Sequence, residues 1–371
     1  MNGKNCIGLI YSNSYDKALP QLADLRTMGS VPFGGRYRLI DFPLSNMVNA
    51  GISKVGVATS TKFRSLLDHV GQGKPWDLSR KNSGLAFLPP FDGHSNIREE
   101  TRIGSLISNI TYLEDALEEY VIFSDSNVLC NIDLTVMLNF HVSKNADVTF
   151  GYINGEYPKL SDKLVFKFDE NDKVTDMSLP SSVNGNVDYF AHICIMSRRL
   201  MLQFLNEAQA YNYTSFERDI LLPKVKTLNM YGYKLPGFVR TIDSIQSYYN
   251  ISMELLDEKN RNCLFNPERP IFTKVHDDSP TTYKTGANVS NSLVADGCII
   301  KGTVENCIIS RDVIIEEGAV VKDSVIMQGS IIKENAELHF VITDKDTVIS
   351  SNRKLMGDKA YPFFIPKGVT M

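Results

Sequence analysis

The sequence predicts a two-part chain: an α/β unit built on a parallel, doubly wound sheet, followed by a left-handed parallel β-helix. Three observations carry this expectation. Short apolar runs at 6–11, 55–58 and 120–123 have the unbroken hydrophobicity of strands buried on both faces. Helical patterns lie between them, over 43–50, 62–70 and 105–117, and such alternation indicates a parallel sheet. Finally, Ile308, Ile314, Val320, Ile326, Ile332 and Leu338 recur at intervals of six, with Cys307, Val313, Ala319, Val325 and Ile331 one residue before each of the first five. In a hexapeptide repeat each hexad forms one flat side of a coil, and its aliphatic residue fills the axis.

Taken in order, the α/β unit is expected over 1–260, a linker over 261–285 and the β-helix over 286–371. Pro267, Pro270 and Pro280 break up the linker. In a doubly wound sheet, ligands bind beyond the carboxyl ends of the strands, so the loop after Tyr11 should face a ligand. Phe166-Lys167-Phe168, a polar turn and Val174 read as a hairpin. Residues 197–208 read as an amphipathic helix bearing Leu200, Met201, Phe204 and Leu205. Residues 74–98, with the only tryptophan (Trp76), read as a long loop near the ligand cleft.

The bulk numbers exclude several classes. A chain of 371 residues, 43% hydrophobic and 22% charged, is ordinary for a globular protein with an ample core. A net charge of -4 argues against a nucleic-acid surface. The six cysteines form no CxxC pair, which disfavours a zinc site or a disulfide framework and fits a reducing cytoplasm. No apolar run approaches membrane-spanning length.

The densest signal is Val31-Pro32-Phe33-Gly34-Gly35-Arg36-Tyr37-Arg38-Leu39-Ile40-Asp41-Phe42-Pro43-Leu44-Ser45-Asn46, then Asn49-Ala50-Gly51-Ile52. A Gly-Gly turn, a short strand and a helix start follow one another within it. This stretch resembles the signature of the ADP-glucose pyrophosphorylases (glucose-1-phosphate adenylyltransferases), and the likeness extends more weakly over nearly the whole chain. It implies a Rossmann-like nucleotidyltransferase (GT-A-like) domain with a mixed, largely parallel sheet ahead of the β-helix. Residues 216–223 resemble the family's Asp-Phe-Gly-Lys-Asp-Ile-Ile-Pro, with Ser215 for its first aspartate.

The resemblance also implies working residues, and there this chain departs. The family's Gly-Gly-x-Gly-x-Arg-Leu loop, which holds nucleotide phosphates, corresponds to Asn13-Ser14-Tyr15-Asp16-Lys17-Ala18-Leu19. The glycines are gone, Ala18 stands at the arginine position, and Asp16 brings a negative charge towards a triphosphate. The family's Lys-Pro becomes Met28-Gly29; Lys17 or Arg26 would have to compensate. The two aspartates that hold magnesium in the family correspond to Asn127 and Thr241, with Asp125 and Asp243 each two residues away. Surface or turn positions are the ordinary expectation for such aspartates. The family's sugar-phosphate motifs, Glu-Lys-Pro and Ser-Met-Gly, correspond to Ser178-Leu179-Pro180 and Phe190-Ala191-His192. Beside the apolar run that follows it, His192 reads as a satisfied core or edge residue.

These losses resemble the regulatory chain of bacterial glycogen-synthesis enzymes. They imply a non-catalytic or weakly catalytic subunit with no catalytic residue and no cofactor of its own, paired with a catalytic homologue in a heterotetramer. In the family a basic residue at the place of Arg36 helps bind a phosphorylated sugar effector. Arg36 and Arg38 are therefore effector candidates, with interchain or carboxylate contacts as the other use of such side chains. Two further readings stay open. One is an active adenylyltransferase whose Mg2+ is held by Asp125 and Asp243; the other is a sugar-phosphate sensor without an enzymatic partner. A hexapeptide acyltransferase would need a histidine between coils, and the repeat region offers only His339 at its fading end.

Overall fold

A computed structural model describes residues 3–14, 16–17, 19–81, 83–89, 101–158 and 163–371. Its amino-terminal part is a nine-stranded mixed sheet. The strands are β1 (Cys6–Tyr11), β2 (Lys54–Ala58), β3 (Gly84–Leu88), β4 (Tyr120–Asp125), β5 (Val148–Glu156), β6 (Val165–Phe168), β7 (Val174–Ser178), β8 (Asn186–Ser197) and β9 (Met230–Lys234). The main path runs β7-β6-β8-β4-β1-β2-β3, with β5 on β8 and β9 on β5. The core of the path, β4-β1-β2-β3, is parallel, and β8 joins β4 antiparallel. All six residues of β1 are buried, as its unbroken hydrophobicity requires.

Two helical expectations are adjusted. The segment expected as one helix over 105–117 is two short helices, Arg102–Ile107 and Thr111–Glu114. The amphipathic helix runs Arg198–Tyr211; the Ser197 hydroxyl caps it by accepting the Leu200 N–H, and Met201, Phe204, Leu205 and Ala208 are buried. The expected loop over 74–98 holds an edge strand instead, because β3 pairs with β2. Trp76 is buried and donates to Ser45 Oγ at 3.3 Å, so it serves the core; residues 90–98 of that segment lie outside the described ones.

After the helix Glu258–Leu264 the chain crosses to three five-stranded parallel sheets, beginning at Thr282–Tyr283. Ile314 lies beside Ile331, Val320 beside Glu337 and Val325 beside Ile342, so one coil takes seventeen residues. Seventeen is one short of three hexads, because one side closes in five. The axis is therefore filled by Ile315, Val321, Ile326, Ile332 and Leu338. A strict period of six had assigned Ile314 and Val320 to the axis; both are only half-buried, on the outside. Ile308, Val325 and Ile342 face outward from the third sheet and pack on the amino-terminal part, in one cluster with Phe33, Phe42, Tyr248 and Leu255.

The Gly-Gly turn sits at this junction. Gly34 and Gly35 have φ of 58° and 85°, and a Cβ on Gly35 would lie 3.3 Å from the Ile309 carbonyl oxygen. At Gly35 a side chain would press on the β-helix backbone. Tyr248 Oη donates to the Pro32 carbonyl at 2.8 Å and Tyr249 Oη to the Asp323 carbonyl at 2.7 Å. Arg26 donates through Nη2 to both carboxylate oxygens of Asp344, at 2.8 and 2.7 Å, in a buried ion pair across the same junction.

Candidate functional site

A cleft of about 560 Å³ opens at the carboxyl end of β1, lined by Asn13, Ser14, Asp16, Lys62, Arg102 and Glu217 among others. The loop after β1 keeps its polar groups to itself. Asn13 Oδ1 accepts the Ser60 N–H at 2.8 Å, and its Nδ2 donates to Asp16 Oδ2 at 2.7 Å and to the Thr61 carbonyl at 3.2 Å. Asp16 Oδ1 accepts the Met28 N–H at 2.8 Å. A carboxylate thus takes a backbone donor and an amide donor of the kind that bind phosphate in related loops. Burial pushes the Asp16 carboxyl up to about 6, against those two hydrogen bonds and Lys62, which pull it down. Arg26 is committed to Asp344 and does not compensate for the missing loop arginine. Lys17 lines the cleft. Ala18 lies outside the described residues.

Deeper in the cleft the degenerate metal positions meet. The strands Val128–Leu129 and Arg240–Thr241 pair antiparallel, and Asn127 Nδ2 donates to the Ile242 carbonyl at 2.8 Å, which brings 125–127 against 241–243. Asp125 and Asp243 are buried, contrary to the surface or turn placement expected of them. For Asp125 the reason is partnership, since a buried carboxylate survives where a cation faces it; Asp243 Oδ1 accepts the Ser244 hydroxyl at 3.3 Å. Arg102 Nη2 donates to Asp125 Oδ2 at 2.6 Å, and Arg102 Nη1 forms a second ion pair with Glu217 Oε1. The guanidinium also lies 5.3 Å from the Phe123 ring centroid. Burial pushes the Asp125 carboxyl up to about 6, with Arg102 pulling the other way.

His192 belongs to this cluster and not to an ordinary strand edge. The register of β8 on β5 shifts between Phe190 and Ile193, and His192 has φ of 56°. This bulge turns the imidazole inward, where Nδ1 lies 3.4 Å from Arg102 Nη2 and 3.5 Å from Asp125 Oδ2. Burial, then Arg102 and Lys163, hold it well below the usual histidine range, so it is neutral and can accept from Arg102.

Lys163 completes the centre. Its side chain is fully buried, its ammonium donates to Thr241 Oγ1, and it lies 5.3 Å from the Tyr189 ring centroid. Burial pulls its pKa down to about 8, while the charges of Asp243 and Asp125 pull it up. Nothing in the sequence pattern pointed to Lys163, Arg102 or Glu217, because all three reach the centre from distant segments. Part of the donor set that the family would give to magnesium is already spent here. One Asp125 oxygen is held by a guanidinium, Asn127 spends its amide on a carbonyl, and the Thr241 hydroxyl is held by an ammonium. Asp125 Oδ1, Asn127 Oδ1 and Asp243 Oδ2 remain buried without a hydrogen-bond partner. Two neighbouring cations oppose a third charge there. Among the described residues, no three His, Cys, Asp or Glu side chains form a metal-holding group.

At the degenerate sugar-phosphate positions, Leu179 packs against the core and the Pro180 carbonyl accepts from Tyr157 Oη at 3.2 Å.

Arg36 and Arg38 lie elsewhere, at the junction of the two parts. Arg38 Nη1 donates to Ser65 O at 2.7 Å and Ser65 Oγ at 2.9 Å, and its backbone N–H donates to Asp41 Oδ2. Burial draws its pKa down to about 10. Arg36 is exposed, 5.3 Å from the Tyr37 ring centroid. With Lys274, His276, Arg311 and Lys345 they line a small pocket of about 90 Å³ that also carries Asp68. Burial, then Arg38 and Arg26, pull the Lys345 ammonium down to about 7.

The nucleotidyl transferase family matches residues 22–178, and the family described as GlmU-like, C-terminal hexapeptide matches residues 274–360. The chain is 35% identical to the glycogen biosynthesis protein GlgD of Bacillus subtilis (strain 168), over 100% of this chain and 98% of that one. It is 36% identical to the GlgD of Geobacillus stearothermophilus, over 99% and 97%. It is 30% identical to the glucose-1-phosphate adenylyltransferase of Geobacillus stearothermophilus, over 86% and 83%.

Proposed function

Because this chain belongs to the glucose-1-phosphate adenylyltransferase family, in the company of the GlgD glycogen biosynthesis proteins, we propose that it is a regulatory subunit of that enzyme. The reaction it serves joins ATP and glucose-1-phosphate into ADP-glucose and pyrophosphate for glycogen synthesis. The chain itself contributes little or no turnover and acts by binding a catalytic homologue, as a heterotetramer. The observation that carries the reading is the Arg102–Asp125 ion pair at the metal position. Nucleotidyl transfer needs a divalent ion to neutralise the phosphates and align the attack, and this centre presents cations of its own instead.

The pocket of Arg36, Arg38, Lys274, Arg311 and Lys345 supports the regulatory half of the reading. Several donors with few carboxylates favour a phosphorylated sugar, and the walls come from both parts of the chain. A ligand there would act on the contact between the α/β part and the β-helix.

The test is co-expression with a full-motif adenylyltransferase from the same organism. The reading predicts that the two chains purify together and that the catalytic chain's KM, kcat or effector response changes in the complex. A catalytic chain that neither binds this one nor changes its kinetics would favour the stand-alone sensor.

A further inference from the structure

A hollow beside Trp76, at the opposite end of the strands from the cleft, carries an inference that does not depend on the regulatory reading. We propose that it is a binding site for a small amphipathic anion: a ring-sized apolar body bearing one acidic group.

The hollow lies at the amino ends of β1 and β2 and holds about 530 Å³. Ligand pockets usually span about 300–1,000 Å³. Three segments build it. The helix Asp41–Asn49 stops at Gly51, whose φ is 79°; the Gly51 N–H donates to the Val48 carbonyl at 2.9 Å and the Ile52 N–H to the Met47 carbonyl at 3.1 Å. This reversal sets Val48 and Ile52 on one wall. The chain returns along it after the last helix of the α/β part, because Asn49 Nδ2 donates to the Pro270 carbonyl at 3.1 Å and the Phe272 N–H donates to Ser45 Oγ at 2.9 Å. Trp76 Nε1 donates to the same Ser45 Oγ at 3.3 Å, so one hydroxyl holds both aromatic residues of the lining.

The mouth is cationic. The Gly3 N–H donates to the Ala50 carbonyl at 3.0 Å, and a Cβ on Gly3 would lie 2.3 Å from that oxygen. The close approach brings Lys4 to the rim, where it is exposed. Arg80 is the second cation. Its partner Asp77 is 86% exposed, and an ion pair so open to solvent is worth at most about 1 kcal/mol. Arg80 can therefore be shared with an incoming anion at little cost. Two cations against one carboxylate favour an acidic group at the mouth, and the apolar lining favours a ring beneath it. Trp76 also meets His69 edge-on, with ring centroids 6.1 Å apart, and His69 lines the pocket of Arg36 and Arg38. A ligand on Trp76 thus lies one side chain from that pocket.

The test uses the full chain and anilinonaphthalene sulfonate, an aromatic anion. Trp76 is the only tryptophan, so energy transfer from tryptophan to the bound probe has a single donor. The proposal predicts saturable transfer that Ser53→Phe, which puts a ring into the hollow, abolishes. Lys4→Glu combined with Arg80→Glu should weaken the probe about tenfold at an unchanged unfolding temperature. Phenylnaphthylamine, which lacks the sulfonate, should bind the wild type more weakly than the sulfonate does. Transfer that does not saturate, or that survives Ser53→Phe, would overturn the proposal, as would an affinity indifferent to the charge reversals. If Ser53→Phe does not fold, the charge-reversed variant decides. No arm of the test involves a catalytic chain, so its failure leaves the regulatory reading standing.

Discussion

Arg102 Nη2 stands 2.6 Å from Asp125 Oδ2, at the carboxyl end of the strand where the family holds magnesium. The Asp125 side chain is completely shielded from solvent, and that of Arg102 is 15% exposed. Removing one member of such a pair strands the other, at a cost of about 3 kcal/mol or more. Arg102→Met should therefore lower stability in urea by about 3 kcal/mol. The double variant with Asp125→Asn should recover part of the loss, because it removes the stranded charge. An additive cycle would show that the two groups do not act as a pair.

Asp16 gives a pH signature. Its carboxyl is raised from its ordinary 3.8 to about 6 by burial. The folded state therefore holds a proton that the unfolded state has lost between those values. The resulting stability is fully present below pH ~4 and disappears as pH rises through ~6. Asp16→Asn keeps an acceptor for the Met28 N–H and removes the titration. The variant should gain on the wild type by about 2 kcal/mol between pH 4 and 7, read as the difference between two urea series.

Lys345 gives the opposite kind of test, on ligand binding. With its pKa drawn down to about 7, it loses its charge as pH rises through neutrality. Sulfate keeps a constant charge over that range and serves as the probe. Sulfate affinity should be higher at pH 6 than at pH 8, and Lys345→Met should flatten that dependence, measured by calorimetry. Arg36→Ala, at an exposed side chain, should weaken sulfate with little change in stability.

Arg26 and Asp344 tie the two parts of the chain with two hydrogen bonds from a single guanidinium nitrogen. Asp344→Ala should cost about 3 kcal/mol, because it leaves a buried guanidinium unpaired. Limited proteolysis should then cut faster near the junction, around 266–281.

The sequence made the architecture legible and the centre only partly so. β1 and β4 were visible because strands buried on both faces have no polar alternation. The β-helix was visible because its repeat is written in aliphatic residues, but its turn is fifteen residues in an early coil and seventeen in those that follow, so a fixed period of six slips out of register between coils. That slip placed Ile314 and Val320 inside when they lie outside. The loss of the loop glycines and metal aspartates could be counted along the chain. What replaced them could not. Arg102, Lys163 and Glu217 stand well apart in sequence and meet only in three dimensions, and His192 turns towards them through a bulge that no local pattern announces. Asp125 and Asp243 were expected outside because carboxylates usually are; Asp125 is inside because Arg102 came with it, and Asp243 is inside with the Ser244 hydroxyl on one oxygen.

The most direct measurement is turnover by the purified chain alone, with ATP, glucose-1-phosphate and Mg2+, followed as pyrophosphate release. The account predicts none above the no-enzyme control. Release at the ordinary enzyme rate of about 1–1000 per second, abolished by Asp125→Asn or Asp243→Asn, would contradict it.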